Sequence, residues 1–236
     1  MTLTTHTPWR RQDWDAIIVD LDGTMVDTLG DFVQALQRML GDLPEPYASY
    51  VLDKDLVERC VGKGSEHLIK SVLAHIQPAP AAMENVALYE SAWASYQRHY
   101  PAVNGRFSAV YPGVVAGLDA WYRAGLPLVC VTNKPTTFAR ALLADKGLAS
   151  YFGLVVGGDA VARKKPDPMP LLHACEQLGV QPARTLMVGD SSNDAQAARA
   201  AGCPVLLVSY GYNHGEPIRA VDADAYVDSL AELQFA

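Results

Sequence analysis

The segment AIIVDLDGTMVDT at residues 16–28 holds Asp20 and Asp22 two positions apart, with Gly23 next in line where a sharp turn is needed. Along an extended backbone the side-chain period is two, so both carboxylates can point the same way. Two acids held together repel unless a cation or a shared proton intervenes, so the pair predicts metal binding or acid–base work. Taken alone, the fragment also fits an Asx turn with a helix cap. Three later clusters bear on the choice. Thr132 and Asn133 follow an apolar run and precede a helix pattern, where a hydroxyl and an amide make either a cap or an anion site. Lys165 precedes Pro166 in RKKPDP, and the proline ring biases the lysine to an extended conformation, although a basic run can also be a solvated face. GDSSND at 189–194 supplies Asp190 and Asp194, one helical turn apart, and by itself could be a capping sequence. Hard oxygen ligands beside fixed donors for anionic oxygens describe a site for Mg²⁺ and a phosphoryl group, provided that all four clusters meet.

Whether they meet depends on the elements that carry them. Five short apolar runs recur: AIIVD at 16–20, LPLVCV at 126–131, LVVG at 154–157, TLMVG at 185–189 and PVLLV at 204–208. Each is apolar at nearly every position, as strands buried on both faces of a parallel sheet must be. Helix patterns separate them. Gly125, Gly147, Gly179 and Gly202 sit where a left-handed C′ residue would stop a helix, and Pro112, Pro135 and Pro168 sit where first-turn prolines are tolerated, the last behind Asp167 as a candidate N-cap. The fold class expected is α/β, a doubly wound parallel sheet whose ligands collect at the carboxyl ends of the strands. All four clusters fall at such ends.

One stretch breaks the alternation. Residues 30–107 read as helices only, with Phe32, Leu36, Met39 and Leu40 on one stripe and the 3.6 period continuing through EHLIKSVLAHI and ENVALYESAWASYQRHY. A helical cap domain at 30–107, inserted after the first strand of a core formed by 1–29 and 108–236, is the expected organisation, with the Pro/Ala-rich stretch at 76–83 as an interhelical loop. Within the insertion, ERCVGKGSEHLIK at 58–70 has glycines on either side of Lys63 and places Ser65 to cap the following helix. Lys63, together with Arg59, is therefore a candidate for holding a small anion such as a carboxylate; a flexible loop with a solvated lysine reads equally well.

The bulk composition narrows the partners. Nineteen Lys plus Arg against 26 Asp plus Glu leave a formal charge of −7, which excludes a general basic surface for nucleic acid or anionic lipid. No run approaches a membrane span and the first fifteen residues lack the apolar stretch of a signal peptide, so a cytoplasmic protein is expected, acting on a small phosphorylated metabolite as a monomer or homodimer. Cys60, Cys130, Cys175 and Cys203 are widely spaced and read as free thiols.

The motifs DLDGT at 20–24, Thr132 with Asn133, Lys165, and GDSSND at 189–194 resemble those of the haloacid dehalogenase superfamily. YPGV at 111–114, VTNKP at 131–135, GGDAVARKKPDPMPLL at 157–172, VGDSSNDAQAARAAGCP at 188–204 and SYGYNHGE at 209–216 are further similar to the bacterial phosphoglycolate phosphatases. The likeness is weaker in the cap, where only ERCVGKG matches. The resemblance implies that Asp20 attacks phosphorus, that Asp22 serves as acid and then base, and that Thr132, Asn133 and Lys165 bind phosphoryl oxygens. It also implies Mg²⁺ held by Asp20, Asp190 and the main-chain carbonyl of Asp22, with Asp194 ordering metal-bound water or Lys165. Asp22 argues against a dehalogenase, which needs no acid–base group there. A phosphosugar mutase shares the core, and a receiver-type signalling module shares the pocket chemistry but explains neither Asp22 nor the insertion.

Overall fold

In a computed structural model of the chain, residues 10–77 and 86–234 are described. Six parallel strands form the main sheet: β1 (Ala16–Val19), β4 (Leu128–Val131), β5 (Phe152–Val156), β6 (Thr185–Gly189), β7 (Val205–Val208) and β8 (Ala225–Val227), in the order β5-β4-β1-β6-β7-β8. A two-stranded antiparallel ribbon pairs β2 (Val26–Asp27) with β3 (Ala109–Val110). Five of the main strands match the apolar runs; β8 and the ribbon are too short for their patterns to stand out. Strand β1 lies in the middle, with Ile17 opposite Leu128 on one side and Leu186 on the other.

Both faces of the sheet are covered, which is why the strands are apolar at consecutive positions. Ile17 and Val19 join one buried cluster with Leu118 and Trp121, whereas Ile18 joins another with Val129, Leu171 and Ala198. The covering helices are α5 (Val114–Arg123), α6 (Thr136–Asp145), α7 (Met169–Leu178) and α8 (Ser192–Ala201). Gly125, Gly147, Gly179 and Gly202 all have positive φ and end these helices as expected. The N-cap of α7 is Pro168 and not Asp167, although the Asp167 carboxylate accepts from the N–H of Met169 at 2.9 Å.

Between β2 and β3 lie α1 (Leu29–Gly41), α2 (Lys54–Cys60), α3 (Ser65–Ile76) and α4 (Val86–Val103). Their apolar faces build a third buried cluster, with Leu36, Met39, Leu40, Ile69, Val72 and Tyr96 at its centre. Ser65 proves to be the first residue of α3, and Gly64, with φ of 88°, is its N-cap. Most of the loop expected at 76–83 lies outside the described residues. No helix among the described residues is long and apolar enough to cross a membrane, and all four cysteines are free thiols.

The helical layer is tied to the core at its two crossings. Gly30 sits so close to Phe107 that a Cβ there would meet its carbonyl oxygen at 2.3 Å. Beside it, the fully buried Asp31 accepts from the N–H groups of Gly105 at 2.8 Å and Phe107 at 2.7 Å. One carboxylate in the first turn of α1 thus fixes the chain as it leaves α4. Asp31→Ala strands two main-chain donors, each costing about 1–3 kcal/mol if left unpaired, and at about 2–4 °C per kcal/mol for a chain of this size the melting temperature is expected to fall by at least about 4 °C. Thermal unfolding within about a degree of wild type would show that water replaces the carboxylate at no cost.

Candidate active site

The carboxyl ends of β1, β4 and β6, with the connections that follow them, deliver the candidate residues to one place. Asp20 follows β1 directly, Thr132 and Asn133 follow β4, and Asp190 follows β6. Lys165 arrives from the β5–α7 connection. Asp20, Asp22, Thr132, Asn133, Lys165, Asp190 and Asp194 all line one cavity, together with Lys134, Phe32, Tyr100 and the cap residues Gly62, Gly64 and Ser65. The sequence motifs therefore meet.

Lys165 is the hub. Its ammonium donates to Asp20 Oδ1 at 2.7 Å, Asp194 Oδ1 at 2.7 Å and the carbonyl of Val131 at 2.9 Å, which uses all three protons. Asp194 is equally committed. Its Oδ2 accepts from the main-chain N–H groups of Asp190 and Ser191 and from the Ser191 hydroxyl, closing the N-terminus of α8 while its other oxygen holds the lysine. Asp190 accepts from the Thr24 hydroxyl at 2.9 Å and the N–H of Tyr212 at 2.6 Å. Asp20 is bonded through Oδ1 alone among the described residues, so Oδ2 keeps its lone pairs. Gly23, with φ of 89°, has no room for a side chain: a Cβ would meet Asp190 Oδ2 at 2.1 Å.

These carboxylates crowd one another. Asp20, Asp190 and Asp194 each place an oxygen within 4.8 Å of the others. Burial pushes Asp20 up to about 7, with Lys165 opposing and the charge of Asp194 adding to the rise. Burial and the charges of Asp194 and Asp20 hold Asp190 well above the usual carboxylate range. Lys165 is disfavoured by burial, but the two aspartates outweigh it and its pKa is raised. A cluster of oxygen donors with excess negative charge and no His or Cys fits a hard divalent cation.

The helical layer meets the site through other groups. Lys63 and Arg59 are both exposed and neither lines the cavity; the Arg59 stem packs at Gly215 instead. What the GKG loop brings to the site is main chain. The carbonyl of Gly62 accepts from the side-chain amide of Asn133 at 2.8 Å and that of Asn193 at 3.3 Å. The Asn133 amide also donates to the carbonyl of Lys165 at 2.9 Å, so this side chain joins cap to core, and its main-chain N–H has no partner among the described residues. The sequence reading missed Lys134, whose buried ammonium donates to Asp22 Oδ1 at 2.9 Å. Its one signal was its place in VTNKP, directly after Thr132 and Asn133.

The sequence pattern of the haloacid dehalogenase-like hydrolases matches residues 14–202, and the chain belongs to that family. It is 45% identical over 220 residues to a phosphoglycolate phosphatase of Thiobacillus denitrificans, with 92% of each chain covered. It is 47% identical over 218 residues to the plasmid phosphoglycolate phosphatase of Cupriavidus necator, covering 92% of this chain and 90% of the relative. Among solved structures, a predicted phosphoglycolate phosphatase from Haemophilus somnus superimposes with a TM-score of 0.85 at 30% identity, covering 94% of this chain and 96% of the other.

The crowding has a consequence for stability. Without a cation, Asp20 holds its proton to about pH 7 in the folded state but only to about pH 4 when unfolded. The native state therefore binds the extra proton between those values, and this contribution to stability is lost as pH rises across them. In EDTA, Asp20→Asn is expected to raise the melting temperature by a few degrees at about pH 8 and to change it little at about pH 5. A lower melting temperature at pH 8 would mean that the Lys165 bond outweighs the repulsion.

Proposed function

We propose that the chain is a Mg²⁺-dependent phosphatase that transfers the phosphoryl group of a small phosphate monoester to Asp20 and then to water, and that 2-phosphoglycolate is the ester. The observation that carries the chemistry is Asp20 itself: a buried carboxylate held through one oxygen by Lys165, with the other free to face the cavity. The names of the relatives, at identities up to 47%, support the ester.

In this reading Asp20 Oδ2 attacks phosphorus in line, the ester oxygen leaves, and an aspartyl-phosphate forms. Asp22, on the leaving-group side, gives that oxygen a proton and later takes one from the attacking water, so the two carboxylates divide nucleophilic and acid–base work. The Thr132 hydroxyl, the Asn133 N–H and Lys165 bind the equatorial oxygens, where transition-state charge is spread. Asp20, Asp190 and the carbonyl of Asp22 would hold the Mg²⁺, with Asp194 fixing Lys165 and the turn at Asp190. When bound, the ion supplies the positive charge that lets an anionic nucleophile meet an anionic phosphate. The helical layer at 30–107 acts as the cap. It covers the cavity through Gly62, Gly64 and Ser65, and opens to admit an ester and closes to exclude bulk water.

Phosphate release from phosphoglycolate, measured across a panel of small esters, tests the reading. Asp20→Asn is expected to lower kcat at least about a thousandfold with the fold intact, and EDTA is expected to abolish turnover until Mg²⁺ is restored. Activity retained in a verified, deamidation-free Asp20→Asn preparation refutes the covalent route, and full activity in chelated enzyme refutes the metal.

A further inference from the structure

We infer that Lys134 is the residue that recognises the second anionic group of the substrate, the carboxylate carried by the leaving alcohol, an inference that rests on the phosphatase reading above. Two lysines are buried among the described residues, and the site divides them. Lys165 has spent its protons beside the nucleophile. The Lys134 ammonium makes one hydrogen bond among the described residues, to Asp22, and otherwise faces aromatic rings, with its Nζ 4.8 Å from the Phe32 centroid and 5.2 Å from that of Tyr100. It lines the same cavity, and its side chain is only 2% exposed.

Its position fixes which part of a ligand it meets. In-line attack by Asp20 sends the leaving oxygen towards the group that protonates it, which is Asp22, so the organic part of the ester points to the Asp22 side. Among the described residues, the one ammonium within hydrogen-bond reach of Asp22 is Lys134. In a phosphorylated hydroxy acid the carboxylate carbon stands three bonds of about 1.5 Å from phosphorus, and Asp20, Asp22 and Lys134 line the same cavity, with the Lys134 ammonium 2.9 Å from Asp22. A phosphoryl group at Asp20 therefore places such a carboxylate beside Asp22 and Lys134. Tyr100 offers a second donor in the same lining, because its buried hydroxyl has no hydrogen-bond partner among the described residues. The ring faces on the ammonium keep it desolvated, and a desolvated cation with a single polar partner binds a second anion strongly. Lys63, exposed and outside the cavity, has neither property.

A rival role is that Lys134 only positions Asp22. The two roles separate on paired substrates: phosphoglycolate, and 2-hydroxyethyl phosphate, which replaces the carboxylate by an alcohol. Lys134→Met is expected to lower the ratio of their kcat/KM values by about 10- to 150-fold, the loss of one charge-assisted hydrogen bond, with Lys134→Arg recovering part of it. An unchanged ratio, with both substrates slowed alike, overturns the inference and leaves Lys134 as a positioning residue. A second measurement keeps lysine in place. In the Asp20→Asn protein, calorimetry is expected to show phosphoglycolate binding at least about tenfold more tightly than hydroxyethyl phosphate, a preference that falls away in Asp20→Asn/Lys134→Met. Equal affinities in the single variant overturn it too. Failure of the underlying reading looks different: wild-type enzyme would then release phosphate from neither ester.

Discussion

A buried ammonium between two carboxylates organises this molecule. Lys165 reaches Asp20 at the end of β1, Asp194 inside the first turn of α8 and the last carbonyl of β4. Those three contacts tie together the three central strands of the sheet at the edge where parallel strands present their ligand sites. The arrangement costs desolvation, and removing Lys165 would leave uncompensated buried carboxylates. It also leaves a surplus of negative charge, because Asp190 stands in the same cluster without a cation of its own. The fold thus maintains an imbalance, one lysine for three aspartates, that a bound proton or a cation relieves.

The same cluster reaches outwards to the point where the helical layer joins the core. Asp190 accepts from the main-chain N–H of Tyr212, whose hydroxyl accepts from the N–H groups of Thr28 and Leu29 and donates to Asp27. Those are the residues between β2 and α1. One tyrosine therefore connects the loop that carries a proposed metal ligand to the first crossing into the cap, and the second crossing is held nearby by Asp31. The aspartate cluster and the junction with the helical layer thus share one hydrogen-bonded network.

The parts of this structure that were legible in the sequence are those whose signal is local. Strand β1 announces itself because both its faces are buried, and the positive-φ glycines mark helix ends because few other residues tolerate that backbone. Asp20, Asp22, Asp190 and Asp194 stand out because paired carboxylates are unusual at strand ends. Lys134 did not stand out, since a lysine before a proline reads as a solvated residue until Phe32 and Tyr100, roughly a hundred residues before it and thirty before it, close over it. The glycines flanking Lys63 suggested a ligand loop, and the loop does reach the site, through the carbonyl of Gly62, while the Lys63 side chain is exposed. Strand β8 and the β2–β3 ribbon are three residues long or fewer, and their pairing is decided by distant partners.

The Gly62 carbonyl has one more implication. Two core amides, from Asn133 and Asn193, meet on it, and hydrogen bonds of this kind contribute about 1 kcal/mol each, which favours the docked loop by roughly ten- to thirtyfold. Ligand entry draws on the undocked minority, so apparent affinity is scaled by that fraction. Because the acceptor is main chain, its bonding does not depend on which side chains the loop displays. Changing the loop's outward residues, Lys63 included, therefore leaves the fastening itself in place.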